Sequence, residues 1–166
     1  MRHIFAIDPG STTAGIVLFD WGGHRVLRCN KAADEELVYL ELQRLVQKRR
    51  CGVQVEVVIE QVSAGGYAAN SFLETQFLAG AFYGWCKAQS LPVSVYYRRD
   101  VLSALNCHAK GRSRDSQVRA ALIELHGGSS AIGKKATPGP LYGVTSHAWQ
   151  ALGVVIAHAG TWRADD

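Results

Sequence analysis

The segment IFAIDPGSTTAGIVLFD, residues 4–20, decides the fold. HIFAI, at 3–7, is an apolar strand that stops on a charged residue, Asp8, and PGST follows as turn chemistry. AGIVLFD, at 14–20, resumes as a second strand; WGGH is a tight hairpin turn and HRVLRCN, at 24–30, a third strand. An acid at the tip of an apolar strand can simply face water, and Asp-Pro-Gly is ordinary turn material. What Asp8 does therefore depends on what the rest of the chain brings to it.

Working outward, Leu37, Leu40, Leu45 and Val46 have helical spacing in a helix that starts near Asp34 and runs to about Arg50, where Gly52 ends it. VQVEVVIE, at 53–60, is a strand with Val53, Val55, Val57 and Ile59 on one face and Val58 on the other, which implies a central position. It too ends on an acid, Glu60. A loop, a helix over 71–89, a strand over 91–97 and a short helix over 98–106 follow. A basic loop over 107–114 leads into a helix capped by Ser113 or Asp115. Residues 127–140 are rich in Gly, Ser and Pro and are expected to be flexible, and the last helix spans 144–159. Three meandering antiparallel strands followed by β-α crossovers imply an α/β fold. It is one mixed five-stranded sheet with helices on both faces, in a single domain over 1–166.

Composition agrees with one globular domain: 166 residues, 48% apolar and 19% charged. No apolar run approaches the ~20 residues of a bilayer span, and MRHIFAID lacks a signal-peptide core, so no membrane association and a cytoplasmic location are expected. Cys29, Cys51, Cys86 and Cys107 form no CxxC pair and read as reduced thiols without chemistry. Between Arg98 and Arg119 six basic residues face two acidic ones, a surplus equal to the whole chain's net charge of +4. Such a patch is either a solvated surface or the footprint of a phosphate backbone.

IFAIDPGSTTAGIVLFD resembles the first hairpin of the RuvC family of Holliday-junction resolvases. VVIEQV, at 57–62, resembles that family's fourth strand, and SHAWQALGVVIAH, at 146–158, its last helix. DSQVRAAL is similar to the helix that precedes it. The likeness runs from about residue 4 to 158 in the same order. It implies an RNase H-like fold and a metal-dependent, structure-selective endonuclease, with metal ligands at Asp8, Glu60 and His147. At the next ligand position the family usually has Asp, whereas this chain has Gln150.

The chemistry supports the same reading. In-line attack on a phosphodiester needs an activated water and a stabilised leaving oxygen, which two divalent ions supply. Hard cations need oxygen ligands gathered in one place. Asp8 and Glu60, with Gln150 and His147 on one helix face, are the candidate catalytic set for two Mg2+ or Mn2+ ions. His147 could serve as ligand or proton-transfer group. Gln150 offers only a neutral oxygen, so the site should hold hard cations more weakly and favour manganese. An acid elsewhere, such as Asp115, could compensate, but its spacing gives no support.

Tyr67 is a candidate for base stacking; Arg98, Arg99, Lys110, Arg112, Arg114, Lys134 and Lys135 are candidates for phosphate contact. The helix over 71–89 is apolar on more than one face, and the resemblance makes it the dimer helix, with Phe72, Phe77, Gly80, Ala81 and Gly84 at the interface. The expected partner is four-way or branched DNA, bound by a homodimer. Two alternatives stay open: a branched-DNA-binding protein that no longer cuts, as Gln150 allows, and an RNase H-like nuclease with another nucleic-acid substrate. DPGSTTAG also resembles the first phosphate loop of sugar kinases and actin-like ATPases, but those need two lobes, which 166 residues do not supply.

Overall fold

The computed structural model describes residues 1–62, 69–107 and 114–160. Its centre is a five-stranded sheet formed by β1 (Arg2–Pro9), β2 (Ala14–Asp20), β3 (Arg25–Ala33), β4 (Gln54–Gln61) and β5 (Val93–Tyr97), in the order β3-β2-β1-β4-β5. β1–β2 and β2–β3 pair antiparallel; β1–β4 and β4–β5 pair parallel. This is the mixed RNase H-like sheet that the hairpin segment implied.

Alternation along the strands divides the core into two layers. Phe5, Ile7, Ile16, Leu18, Val55, Val57 and Ile59 pack beneath α1 (Glu35–Arg50) and α2 (Ala69–Ala88). Ile4, Ala6, Val17, Phe19 and Val58 face α3 (Arg98–Ala104), α4 (Arg114–Leu125) and α5 (Ala148–Ala159). Every residue of α5 from Ala148 to Ile156 is buried, so it is a core helix rather than an amphipathic surface helix. Asp34 caps α1 by accepting from the Leu37 N–H at 2.8 Å, at the start the sequence marks.

Boundaries differ from the sequence reading most at three places. β3 continues to Ala33. α5 begins at Ala148, leaving His147 just outside its first turn. Residues 127–140, expected to be flexible, instead form a 3-10 helix (Gly128–Ala131) and a small hairpin of β6 (Gly133–Lys134) with β7 (Thr137–Pro138). Close backbone packing explains this: a Cβ on Gly139 would lie 2.2 Å from the Ala131 carbonyl oxygen, so glycine there permits contact rather than disorder. The four cysteines are unpaired. Among the described residues no helix is long and apolar enough to cross a membrane.

Candidate active site

Parity in the strands aims the two acids. In β1, Ile4, Ala6 and Asp8 alternate onto the α5 face; in β4, Glu56, Val58 and Glu60 do the same. Because Ile7 pairs in register with Ile59, Asp8 and Glu60 leave adjacent parallel strands at the same level. They line one cleft of about 400 Å3, together with Ser11, Phe72, Thr75, Arg98, Arg114, Asp115, His147 and Gln150.

His147 reaches this cleft through two backbone devices. Ser146, directly before it, adopts the left-handed region with φ +48, a conformation that costs on the order of 1 kcal/mol outside glycine. Gly15, paired with Asp8 in the β1–β2 ladder, then admits the incoming chain: a Cβ there would lie 2.4 Å from the His147 carbonyl oxygen. The imidazole stays largely exposed, its Nδ1 3.6 Å from Asp8 Oδ2. Contact with the Asp8 carboxylate raises the pKa of His147 against the opposing effect of burial.

Gln150, one turn into α5, is buried, and its side-chain oxygen accepts from Arg98. Glu60 is buried as well. Burial first and the neighbouring Asp8 charge second push its carboxyl up to about 8, against the pull of Arg98. Its Oε1 accepts from Arg98 at 3.4 Å, whereas its Oε2 is buried without a partner. That orphaned oxygen, on a carboxylate that also feels the Asp8 charge, marks an electrostatic deficit in the cleft.

Arg98 occupies an unexpected place. The sequence assigned it to DNA contact, but its side chain is only 18% exposed and donates to Glu60, Gln150 and Asp115. Its origin is fixed by the start of α3, where Asp100 accepts from the Tyr97 N–H at 2.8 Å. Asp115, in the first turn of α4, is the residue that sequence spacing missed: an acid early in a helix reads as a terminus signal, and only the packing of α4 beside α5 brings its exposed side chain to the edge of the cleft.

The other candidates are dispersed. Arg114 lines the cleft. Arg99 is exposed, 3.7 Å from Asp100 and stacked over Tyr97 at 5.0 Å. Lys134 and Lys135 are exposed near the small hairpin, outside the cleft. On α2, Phe77, Gly80 and Gly84 are exposed and Ala81 half-buried, whereas Phe72 turns toward the cleft. Tyr67, Lys110 and Arg112 lie outside the described residues. Among the described residues no three His, Cys, Asp or Glu side chains close into a metal-ligating group. The two carboxylates and the orphaned Glu60 oxygen fit one hard cation completed by water.

Comparison with known proteins gives a fold. No family model matches the sequence, and no curated protein matches it. The structure of Thermus thermophilus RuvC in complex with a Holliday junction substrate aligns over 96% of this chain and 94% of that one, with a TM-score of 0.60 and 22% identity. A second Thermus thermophilus RuvC structure aligns over 95% and 93%, with a TM-score of 0.59 and 22% identity. The likeness to these two RuvC structures is one of fold.

Proposed function

We propose that this protein is a metal-dependent, structure-selective endodeoxyribonuclease that cleaves four-way or related branched DNA as a homodimer. The observation that carries the reading is the convergence of Asp8 and Glu60 on one cleft, with one oxygen of the buried Glu60 carboxylate left without a partner. Two carboxylates held together in a partly dry site are unfavourable unless a cation joins them. Asp8 and Glu60 would hold Mg2+ or Mn2+, with His147 beside them. The ion would polarise a phosphoryl oxygen and lower the pKa of a bound water.

The remaining work falls to the chain's own groups. His147, exposed at the rim and in contact with Asp8, is suited to exchange a proton with water or a leaving oxygen. Arg114 at the mouth, with Arg99, Lys134 and Lys135 on the exposed surface, supplies positive charge for phosphates outside the scissile one. Tyr67, Lys110 and Arg112 belong to the same proposal on sequence grounds.

Dimerisation draws support from α2. Leu73 and Phe77 are 62% and 77% exposed, and Gly80 and Gly84 continue the stripe at helical spacing with open space above them. A bulky apolar edge beside two glycines suits close approach of a second copy. The relative whose fold this chain shares was solved with a Holliday junction substrate, which favours branched DNA over a linear duplex.

The test is nicking of a synthetic four-way junction, with linear duplex of the same sequence as control, in Mg2+ and in Mn2+. Wild type is expected to cut the junction in preference to duplex, and Asp8→Asn to lose at least about 100-fold in rate while still binding the junction. Junction binding without cleavage in either metal would favour the non-cutting DNA-binding protein that Gln150 permits. Equal cutting of duplex would remove the structure selectivity.

A further inference from the structure

Arg98 distinguishes this cleft from an ordinary two-ion site. Its guanidinium donates to oxygens from three separate elements: Glu60 on β4, Gln150 on α5 and Asp115 on α4. Guanidinium stays protonated at any working pH, and its planar fork matches oxygen pairs. The space between Glu60, Gln150 and Asp115 therefore already holds a positive charge, permanently and covalently attached. A second divalent ion there would have to expel the arginine, leaving a half-buried guanidinium unpaired.

The charge count is consistent with this. With Glu60 ionised, as cation binding requires, three carboxylates (Asp8, Glu60 and Asp115) face two guanidiniums (Arg98 and Arg114), a formal balance of one negative charge, and Gln150 adds none. One divalent ion already reverses that sign, and a second would leave the cleft strongly positive. The acceptor oxygens agree too: Glu60 Oε1 and Gln150 Oε1 accept from Arg98, whereas Glu60 Oε2 is left without a partner. What remains open is one lobe, formed by Glu60 Oε2 and Asp8 with His147 at its edge. One or two carboxylates completed by water are enough for magnesium or manganese.

We propose that each chain takes one divalent cation, at Asp8 and Glu60 beside His147, and that Arg98, held by Glu60, Gln150 and Asp115, is the resident cation at the second position. The inference rests on the nuclease reading for the purpose of the site, but ion stoichiometry tests it separately. Gln150 then has a positive role: its neutral oxygen anchors Arg98 without adding a charge that would recruit another metal. In this position Arg98 faces the phosphate that enters the cleft and offers it donors no water-coordinated ion could fix in orientation.

The experiment counts Mn2+ bound per full-length chain by equilibrium dialysis, with electron paramagnetic resonance to detect paired ions. Wild type is expected to bind one Mn2+, and Asp8→Asn to bind none. Arg98→Lys, which keeps the charge, should remain at one. Arg98→Ala combined with Gln150→Asp exchanges the resident cation for a carboxylate and should bind two. Its second site should be at least about tenfold tighter than any second binding by wild type, and the spectrum should show a coupled pair. Arg98→Gln, which keeps size without charge, gives the same direction if the double variant does not fold. Two ions of similar affinity in wild type would overturn the proposal and leave the nuclease reading intact. A single ion in folded charge-removing variants would also overturn it, since Arg98 would then not be what excludes the second. No bound ion in wild type would remove both readings together.

Discussion

Glu60 is buried by the fold and pressed by Asp8, with one oxygen bonded to Arg98 and the other bonded to nothing. In the absence of a cation this carboxyl opposes folding whenever it is charged. A divalent ion that binds only the folded site adds stability that grows with the logarithm of its concentration above Kd, about 2.7 kcal/mol at 100 times Kd. Wild type should therefore gain Tm on Mn2+ addition and lose that gain to a chelator. Glu60→Gln should be at least as stable as metal-free wild type, because it removes the charge and keeps the shape, but its Tm should ignore Mn2+. A Glu60→Gln variant that responds to Mn2+ like wild type would place the ion elsewhere. The same residue illustrates what sequence could convey. Glu60 was legible because an acid ending VQVEVVIE contradicts its apolar strand, and Asp8 for the same reason. Arg98 was not: a basic residue after a strand reads as surface charge, and only the arrival of Gln150 and Asp115, from 52 and 17 positions away, turns it inward.

At the scale of elements, the site depends on how closely α5 lies against β2. Gly15 admits the chain that enters α5, whereas Gly153 lets α5 lie close against α3 and α4. A Cβ on Gly15 would meet the His147 backbone at 2.4 Å, whereas one on Gly153 would meet the ends of Val101 and Val118 at 2.8 and 3.2 Å. Backbone cannot yield as a methyl group can, so the two alanine variants should behave differently even at equal stability. Each should cost about 2 kcal/mol by overpacking, a drop of roughly 5 °C in Tm. Gly15→Ala should in addition lose most junction nicking, because His147 is displaced from Asp8; Gly153→Ala should retain most of it at temperatures where it is folded. Comparable activity in the two variants would mean that the position of His147 is unimportant. The mixed sheet itself was readable, since three meandering strands precede the β-α crossovers and β4 carries apolar residues on both faces. Residues 127–140 were misread as flexible because Gly133 and Gly139, which permit close backbone approach, look in a sequence like glycines chosen for freedom.

At the scale of the whole molecule, α5 is secured at its far end by a second polar network. Glu56 accepts from Arg2 Nε at 2.6 Å and 3.1 Å from its terminal nitrogen, and pairs with His158 Nε2 at 2.6 Å. His158 Nδ1 in turn meets the Tyr96 hydroxyl at 2.9 Å. Hydrogen bonding from Arg2 is the main cause that holds the Glu56 carboxyl below its ordinary value of 4.5, against the effect of burial. A depressed acid contributes stability that is complete above its unfolded pKa and is lost as pH falls through the lower folded one. Unfolding free energies of wild type and Glu56→Gln from denaturant titration should therefore differ by about 1–2 kcal/mol at neutral pH and converge as the pH falls well below 4.5. A constant gap down to that pH would mean that packing, not charge, is what the substitution removes.

The opposite flank of the molecule carries the exposed stripe of Leu73, Phe77, Gly80 and Gly84 on α2. Self-association through one helix face is two-fold by symmetry, so it would set two clefts in fixed relation, as paired cuts across a branch point require. Phe77 is 77% exposed and contributes little to the monomer's core, so Phe77→Glu should leave Tm nearly unchanged while placing two like charges at the symmetric contact. Sedimentation at tens of micromolar should give a dimer for wild type and a monomer for the variant. The variant should still bind Mn2+, because the cleft lies on a different side of α2, where Ser71, Phe72 and Thr75 face it. On a junction held in a supercoiled circle, wild type should release linear product by cutting both strands within the life of one complex, whereas the monomer should accumulate nicked circle. Paired cutting by a monomeric variant would separate the stripe from the reaction and leave it a surface for some other partner.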